Sequence, residues 1–145
     1  SHAWHRPLLA TRASQYDPRV RSRIERGATM SASDYIDLLN ARQHWIVRME
    51  AALAPFDALL SPTVPLVAPP IADVAPGAER DAEFFRINAL LLRNTSVVNM
   101  LDGCALSLPC HMAGELPVGL MVWHGALHDD AVLNVGLQIE QILQK

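Results

Sequence analysis

The sequence predicts an α/β fold in which short strands of a mixed sheet pack between helices. Three short apolar runs have the length and flanking turn residues of buried strands, and about five longer segments repeat apolar residues at helical spacing. Half of the residues are hydrophobic, which suits a compact fold of 145 residues. Three strands are few for so much helix, so we expect them to belong to a larger sheet covered on both faces.

Residues 1–54 are predicted to be helical. Asp17 followed by Pro18 is the order of a helix cap and a first-turn proline, and Gly27 can end that helix. A short helix is therefore expected over residues 18–26. Its four arginines spread around the helix, which indicates a solvated surface rather than an anion site.

A long amphipathic helix is expected to begin near Ser31 or Ser33 and to continue up to Pro55. The residues that predict it are apolar and recur at helical spacing: Tyr35, Leu39, Ile46, Met49 and Leu53. The helix is expected to end there because proline cannot continue it.

Residues 55–80 are predicted to form one strand and a proline-rich loop. The strand begins with the apolar run Ala58–Leu60 and ends near Ser61. It ends there because several prolines follow, and proline lacks the amide hydrogen that a strand ladder needs. The loop is expected to be extended and rigid.

Residues 81–145 are predicted to form a helical region, two strands and a final helix. Gly103 allows a turn from the helical region into the strand CALSLPC. A second strand, ELPVGLMVWHG, follows it, and Asp129 or Asp130 can cap the last helix. The regions 1–54, 55–80 and 81–145 are expected to form a single segment of one domain.

The composition argues against several classes of function. A net charge of −3, 19% charged residues and few aromatic residues do not suit nucleic-acid binding. No apolar run reaches the roughly 18 residues that a membrane helix needs, and the N-terminus lacks a signal-peptide pattern. Cys104 and Cys110 fit neither a disulfide framework nor a C-x-x-C motif, so the expected location is the reducing cytoplasm.

A cysteine nucleophile is the first catalytic candidate that the residues allow. Cys110 adjoins His111, and His124 on the next strand is a candidate base. Adjacent strand residues point to opposite faces, so His111 is poorly placed to activate Cys110. The alternative, which we favour, is that Cys110 is a small packing residue.

The sequence supports metal binding and serine catalysis no better than it supports a cysteine nucleophile. The metal-ligating side chains near the C-terminus are His111, His124, His128, Asp129 and Asp130. Their spacing lacks the i, i+4 pairing of a zinc hydrolase, so no metal and no cofactor is expected. Ser96 and Ser107 have no neighbouring lysine, because the only lysine is Lys145, and no serine lies in a G-x-S-x-G turn.

Three segments, taken in order, resemble the C-terminal part of the amidase signature family. They are FDALLSPTVPLVAPP, NTSVVNMLDGCALSLPC and LPVGLMVWHGALHDDAVLNVGLQIE. The residues that match the motifs of the family are Asp57, Pro62, Thr63, Pro65, Asn94, Thr95, Asn99, Gly103, Ser107, Pro109, Pro117, Val118, Gly119, Leu120, Gly125 and Asp130. The resemblance extends over residues 16–143, and the ordered series is more specific than any single motif.

The resemblance implies an amide hydrolase whose catalytic Ser-Ser-Lys arrangement lies upstream of this segment. The chain is therefore expected to be a C-terminal fragment that carries no catalytic residue and is inactive alone. Its expected contribution is sheet and substrate-pocket wall, with substrate contacts from Thr63, Leu92, Thr95 and Asn99. The alternative for the polar residues is helix capping and hydrogen bonding to loop backbone.

The resemblance also bears on the substrate. The A subunit of the glutamyl-tRNA amidotransferase carries an aspartate three positions before the threonine that matches Thr95, whereas this chain has Leu92 there. An apolar residue favours an amidase that acts on a neutral or hydrophobic acyl group. The expected partner is thus a small-molecule amide, and a homodimer is a further expectation. The alternatives are a non-catalytic interaction module and a fragment of such an A subunit.

Overall fold

The computed structural model describes residues 1–143 and divides the chain into two compact units, Ser1–Gln43 and His44–Lys145. The first unit contains α1 (His2–Arg12), α2 (Pro18–Glu25) and the beginning of α3 (Ala32–Leu53), which continues into the second unit. Short 3₁₀ turns follow the first two helices at Ala13–Gln15 and Arg26–Thr29.

Side-chain caps fix the starts of α2 and α3, as the sequence predicts. The carboxylate of Asp17 accepts hydrogen bonds from the amides of Arg19, at 2.8 Å, and Val20, at 3.4 Å. Ser31 and Asp34 cap α3 reciprocally, because the Ser31 hydroxyl accepts from the Asp34 amide while the Asp34 carboxylate accepts from the Ser31 amide. These hydrogen bonds from Ser31 lower the pKa of the Asp34 carboxyl group.

The second unit contains all three strands. Its elements are β1 (Leu59–Pro62), α4 (Ile71–Val74), a 3₁₀ turn (Ala78–Arg80), α5 (Asp81–Arg93), α6 (Thr95–Leu101), β2 (Cys104–Pro109), β3 (Gly119–His124) and α7 (Asp129–Leu143). Each predicted strand is present, but β3 begins at Gly119 rather than at Glu115. Pro117 supplies no amide hydrogen for the ladder, so strand pairing starts beyond it.

The three strands form an antiparallel sheet in the order β1-β3-β2. In its register, Met121 of β3 lies between Ser61 of β1 and Ser107 of β2. Strand β1 is an edge of the described sheet, where Pro62 is tolerated because one side of an edge strand is not paired. Helices cover both faces, so the predicted α/β class is confirmed.

The central strand β3 is buried on both faces. Met121 and Trp123 pack on one side against residues of α3 and α6, including the fully buried Leu101. Val122, on the other side, packs with Leu108 and with Val132 of α7. This alternation places one apolar layer above the sheet and one below it.

The described chain also exposes apolar surface. On α3, Tyr35, Ile36, Leu38 and Leu39 each have about half of their surface accessible to solvent. Strand β2 is the second edge of the described sheet and has no neighbour beyond it. Within residues 1–143, no helix has the length and apolar character needed to cross a bilayer.

Removing the Leu101 side chain should destabilise the fold strongly. Leu101→Ala leaves a cavity at a position that has 0% of its surface exposed, which costs about 2–5 kcal/mol of unfolding free energy. Leu137→Ala, at a position that is 53% exposed, is the matched control and should change it by less than about 1 kcal/mol. Urea denaturation measures both variants, and equal losses would contradict the packing described for β3.

The exposed edge strands and apolar side chains should make the purified chain self-associate. Unpaired strand edges and apolar patches favour association between copies. Light scattering over a range of concentrations measures this directly, with dye binding as a second readout of apolar surface. A monomer with low dye binding at every concentration would contradict the expectation.

Candidate functional site

A pair of hydroxyl groups meets at the end of the sheet where β1 ends and β3 begins. The Thr63 amide donates to the Gly119 carbonyl at 2.8 Å, which continues the pairing of β1 beyond Pro62. The Thr63 and Ser107 hydroxyl oxygens are 2.6 Å apart and share a hydrogen bond. We call this pair the hydroxyl bridge.

The hydroxyl bridge depends on the absence of a side chain at Gly119. Thr63 and Ser107 lie on the two outer strands, and their side chains reach each other across the central strand. A Cβ atom added at Gly119 would lie 2.6 Å from each of the two hydroxyl oxygens, closer than real Cβ contacts. Any L-residue with a side chain would therefore force the bridge apart.

An asparagine links the helical region to the same end of the sheet through a hydrogen bond. The Asn94 side-chain amide donates to the Pro62 carbonyl at 2.7 Å, and its oxygen accepts from the Arg93 side chain at 3.3 Å. Asn94 lies between α5 and α6. The end of β1 is thereby hydrogen-bonded to the residue that precedes α6, the helix that Thr95 begins.

The four predicted substrate contacts have different surroundings. Thr63 is half-buried in the hydroxyl bridge, and Thr95 is half-buried at the start of α6 with its hydroxyl donating to the Leu92 carbonyl at 3.5 Å. Leu92 is 41% exposed near the end of α5, and Asn99 is exposed further along α6. Their roles in binding substrate stay predictions.

Ser107 was not among the predicted substrate contacts, although it matches a motif of the family. Its partnership with Thr63 joins two strands that are not neighbours in the sheet, so no local pattern reveals it. The small residue Gly119 between them was the available signal, once the strand order was known.

The Cys110–His124 pair considered as nucleophile and base is not formed. The strand register places His124 opposite Cys104, at the other end of the hairpin from Cys110. The thiol of Cys110 and the ring of His111 instead both lie 3.5 Å from the Val118 carbonyl. Within residues 1–143 this leaves Cys110 without a base held by a third group, as nucleophilic catalysis requires.

His124 has both ring nitrogens engaged with backbone. Its Nδ1 accepts from the Gly125 amide at 2.7 Å, so its Nε2 carries the proton that is donated to the Phe56 carbonyl at 3.1 Å. The ring stacks on His128 with centroids 3.9 Å apart, beside a cavity of about 280 Å³ that Glu50 also lines. His124 therefore connects the turn after α3 to the end of β3.

No metal centre is formed in the part of the chain that the structure describes. Among residues 1–143, no three or more histidine, cysteine, aspartate or glutamate side chains are grouped closely enough to hold an ion. Both cysteines are free.

A separate apolar cavity of about 200 Å³ lies between α4 and α5, with Ile71, Phe84 and Leu91 in its wall.

Comparisons with known proteins agree on one family. A family model described as Amidase matches residues 2–133. The A subunit of the glutamyl-tRNA(Gln) amidotransferase from Salinispora tropica is 30% identical over 141 residues, which are 94% of this chain and 27% of that protein. A solved crystal structure of an amidase superposes with a TM-score of 0.75 at 28% identity, covering 97% of this chain and 32% of the other.

The chain thus spans about a third or less of the length of these two relatives. The family match extends over most of the chain and includes the segments that contain Thr63, Asn94 and Thr95. The solved amidase structure has a similar arrangement of strands and helices over nearly all of this chain. This chain belongs to the amidase family.

Proposed function

We propose that this chain supplies the sheet and part of the substrate-pocket wall of an enzyme that hydrolyses a carboxylic amide to an acid and ammonia or an amine. The observation that carries the proposal is the polar end of the sheet in a member of the amidase family. There the Thr63 and Ser107 hydroxyls meet, and Asn94 donates to the Pro62 carbonyl. Polar groups fixed on packed elements can orient a substrate without performing the chemistry.

The catalytic groups of this enzyme are proposed to lie outside the chain. The family resemblance implies a serine nucleophile activated through a second serine by lysine, and the only lysine here is Lys145, which lies outside the described residues. The relatives have two thirds or more of their length beyond the matched segment. That length has room for the missing nucleophile and base.

The proposed substrate is an uncharged amide. Leu92 stands where the resemblance implies an aspartate in the glutamine-using relatives, and its side chain is 41% exposed. A leucine beside the ammonium group of an amino-acid amide would remove water from that charge without replacing its hydrogen bonds. A neutral acyl group has no such cost.

Two other functions remain candidates. The 30% identity to the A subunit of a glutamyl-tRNA(Gln) amidotransferase supports a role in amide transfer rather than hydrolysis. The exposed apolar residues of α3 and the open strand edges support a non-catalytic role in which the chain binds another protein surface. Measuring the rate of amide hydrolysis by an enzyme that contains this chain distinguishes these two functions from the proposed hydrolase.

The purified chain should not hydrolyse amides by itself. Ser96 and Ser107 have no lysine among residues 1–143 to activate them, and Cys110 has no base held by a third group in the same range. An unactivated serine is a weak nucleophile. The measurement is ammonia or amine release from a panel of aryl and aliphatic amides, with a complete amidase as the positive control. Turnover that persists through repurification and disappears in Cys110→Ala would overturn the proposal.

In an active enzyme that contains this chain, Leu92→Asp should shift preference toward substrates with an ammonium group. A charge-assisted hydrogen bond contributes roughly 1.5–3 kcal/mol, so kcat/KM for glutamine relative to its analogue without the α-amino group should rise about tenfold or more. Leu137→Asp places the same charge on an exposed position of α7 and is the control. An unchanged ratio in Leu92→Asp would show that Leu92 does not contact substrate.

A further inference from the structure

We propose that α3 carries a surface through which two copies of this chain pack against each other as antiparallel helices. The surface consists of Tyr35, Leu38, Leu39 and Arg42, and a two-fold axis passes beside Leu38. We call these four residues the α3 patch. The inference goes beyond the proposed function, because it assigns an interface and no part in amide chemistry.

The α3 patch is a stripe along one side of the helix. Its members are spaced i, i+3, i+4 and i+7, which puts them on one face over two turns. Its three apolar residues are between 47% and 57% exposed. Residues at the same spacing further along α3 pack in the core, namely Ile46, Met49 and Leu53. The α3 patch thus has the sequence pattern of a packed helix face.

This half of α3 also has reason to be packed. Every residue from 31 to 41 is exposed, so solvent meets the helix on all sides there. A helical segment of this length is marginal in water by itself, because most helix stability in proteins comes from packing an apolar face. A surface that covers the α3 patch would therefore stabilise the helix and remove apolar area from water.

The charges beside the α3 patch identify a second copy as the occupant. Asp34 lies one turn before Leu38 and Arg42 lies one turn after it, on the same side of the helix. When two α3 helices run antiparallel about an axis at Leu38, residue 34 of each copy comes opposite residue 42 of the other. Each carboxylate then meets a guanidinium, and the two-fold axis repeats the contact at the other end.

The apolar side chains suit the same arrangement. Leu38 meets Leu38 of the second copy at the axis, and Tyr35 lies next to the second copy's Leu39 and Arg42. A guanidinium over a tyrosine ring adds a cation–π contact. A parallel pair in register would instead put the two Asp34 carboxylates together, and like charges across an interface are unfavourable. The antiparallel orientation therefore follows from the charges.

The test of the surface is analytical ultracentrifugation of the purified chain over a range of concentrations. We expect a dimer whose dissociation constant rises at least about tenfold in Leu38→Asp, because two carboxylates then meet at an apolar contact. Leu137→Asp on α7 is the matched control, since Leu38 and Leu137 are both 53% exposed, and it should leave the dimer unchanged. Arg42→Glu should also weaken the dimer, less so at high salt, because it faces Asp34 with a second carboxylate.

The test of the orientation is a disulfide across the axis. In oxidised Leu38→Cys, mass spectrometry should find residue 38 of one copy joined to residue 38 of the other, because a two-fold axis brings these positions together. Ile36→Cys is the control. Ile36 is 56% exposed but lies about 160° around the helix from Leu38, so it should form no such link.

Circular dichroism shows whether each variant keeps its helix content. Equal association of the unmodified chain and Leu38→Asp would overturn the inference, because the strand edges would then join the copies. A monomer at every concentration would overturn it as well. A longer polypeptide that contains this chain and stays monomeric, while its Leu38→Cys variant resists thiol reagents, would do the same, because another part of that polypeptide would then cover the α3 patch.

Discussion

The pairing of β3 with both of its neighbours is the constraint on which the rest of this structure depends. Val122 has 0% of its surface exposed and faces one apolar layer, whereas its neighbours Met121 and Trp123 both face the other. One layer comes from α3 and α6, and the other comes from α7. Because both layers pack on the same strand, the positions of α6, α7 and the end of α3 follow from where β3 lies.

The same strand determines the polar end of the sheet. Its first residue, Gly119, leaves space for the Thr63 and Ser107 hydroxyls. Its last residue, His124, forms a hydrogen bond with the Phe56 carbonyl through its ring. The Gly119 end of β3 therefore has space for two hydroxyl groups, whereas the His124 end is occupied by the contacts of the histidine ring. Of the proposed substrate contacts, Thr63 lies at the Gly119 end.

Local features predicted much of the fold. The caps at Asp17 and Ser31, the prolines after Ser61 and the apolar runs of the strands act within a few residues, so the sequence reveals them directly. Helix α1 was not predicted as a separate element, because Pro7 lies inside it and proline usually ends a helix. The strand order and the hydroxyl bridge join residues far apart in sequence, which periodicity cannot detect.

The candidate site was likewise only partly predictable from the sequence. Thr63 and Thr95 came from motif resemblance, whereas the Ser107 contact needed the register of three strands.

The central claim is that this chain forms pocket wall and that another part of the enzyme supplies the nucleophile. Labelling an active enzyme that contains this chain tests that claim most directly. A reagent that phosphonylates activated serines, followed by mass spectrometry, should place the adduct outside residues 1–145. An adduct on Ser96 or Ser107 that abolishes activity would contradict that claim.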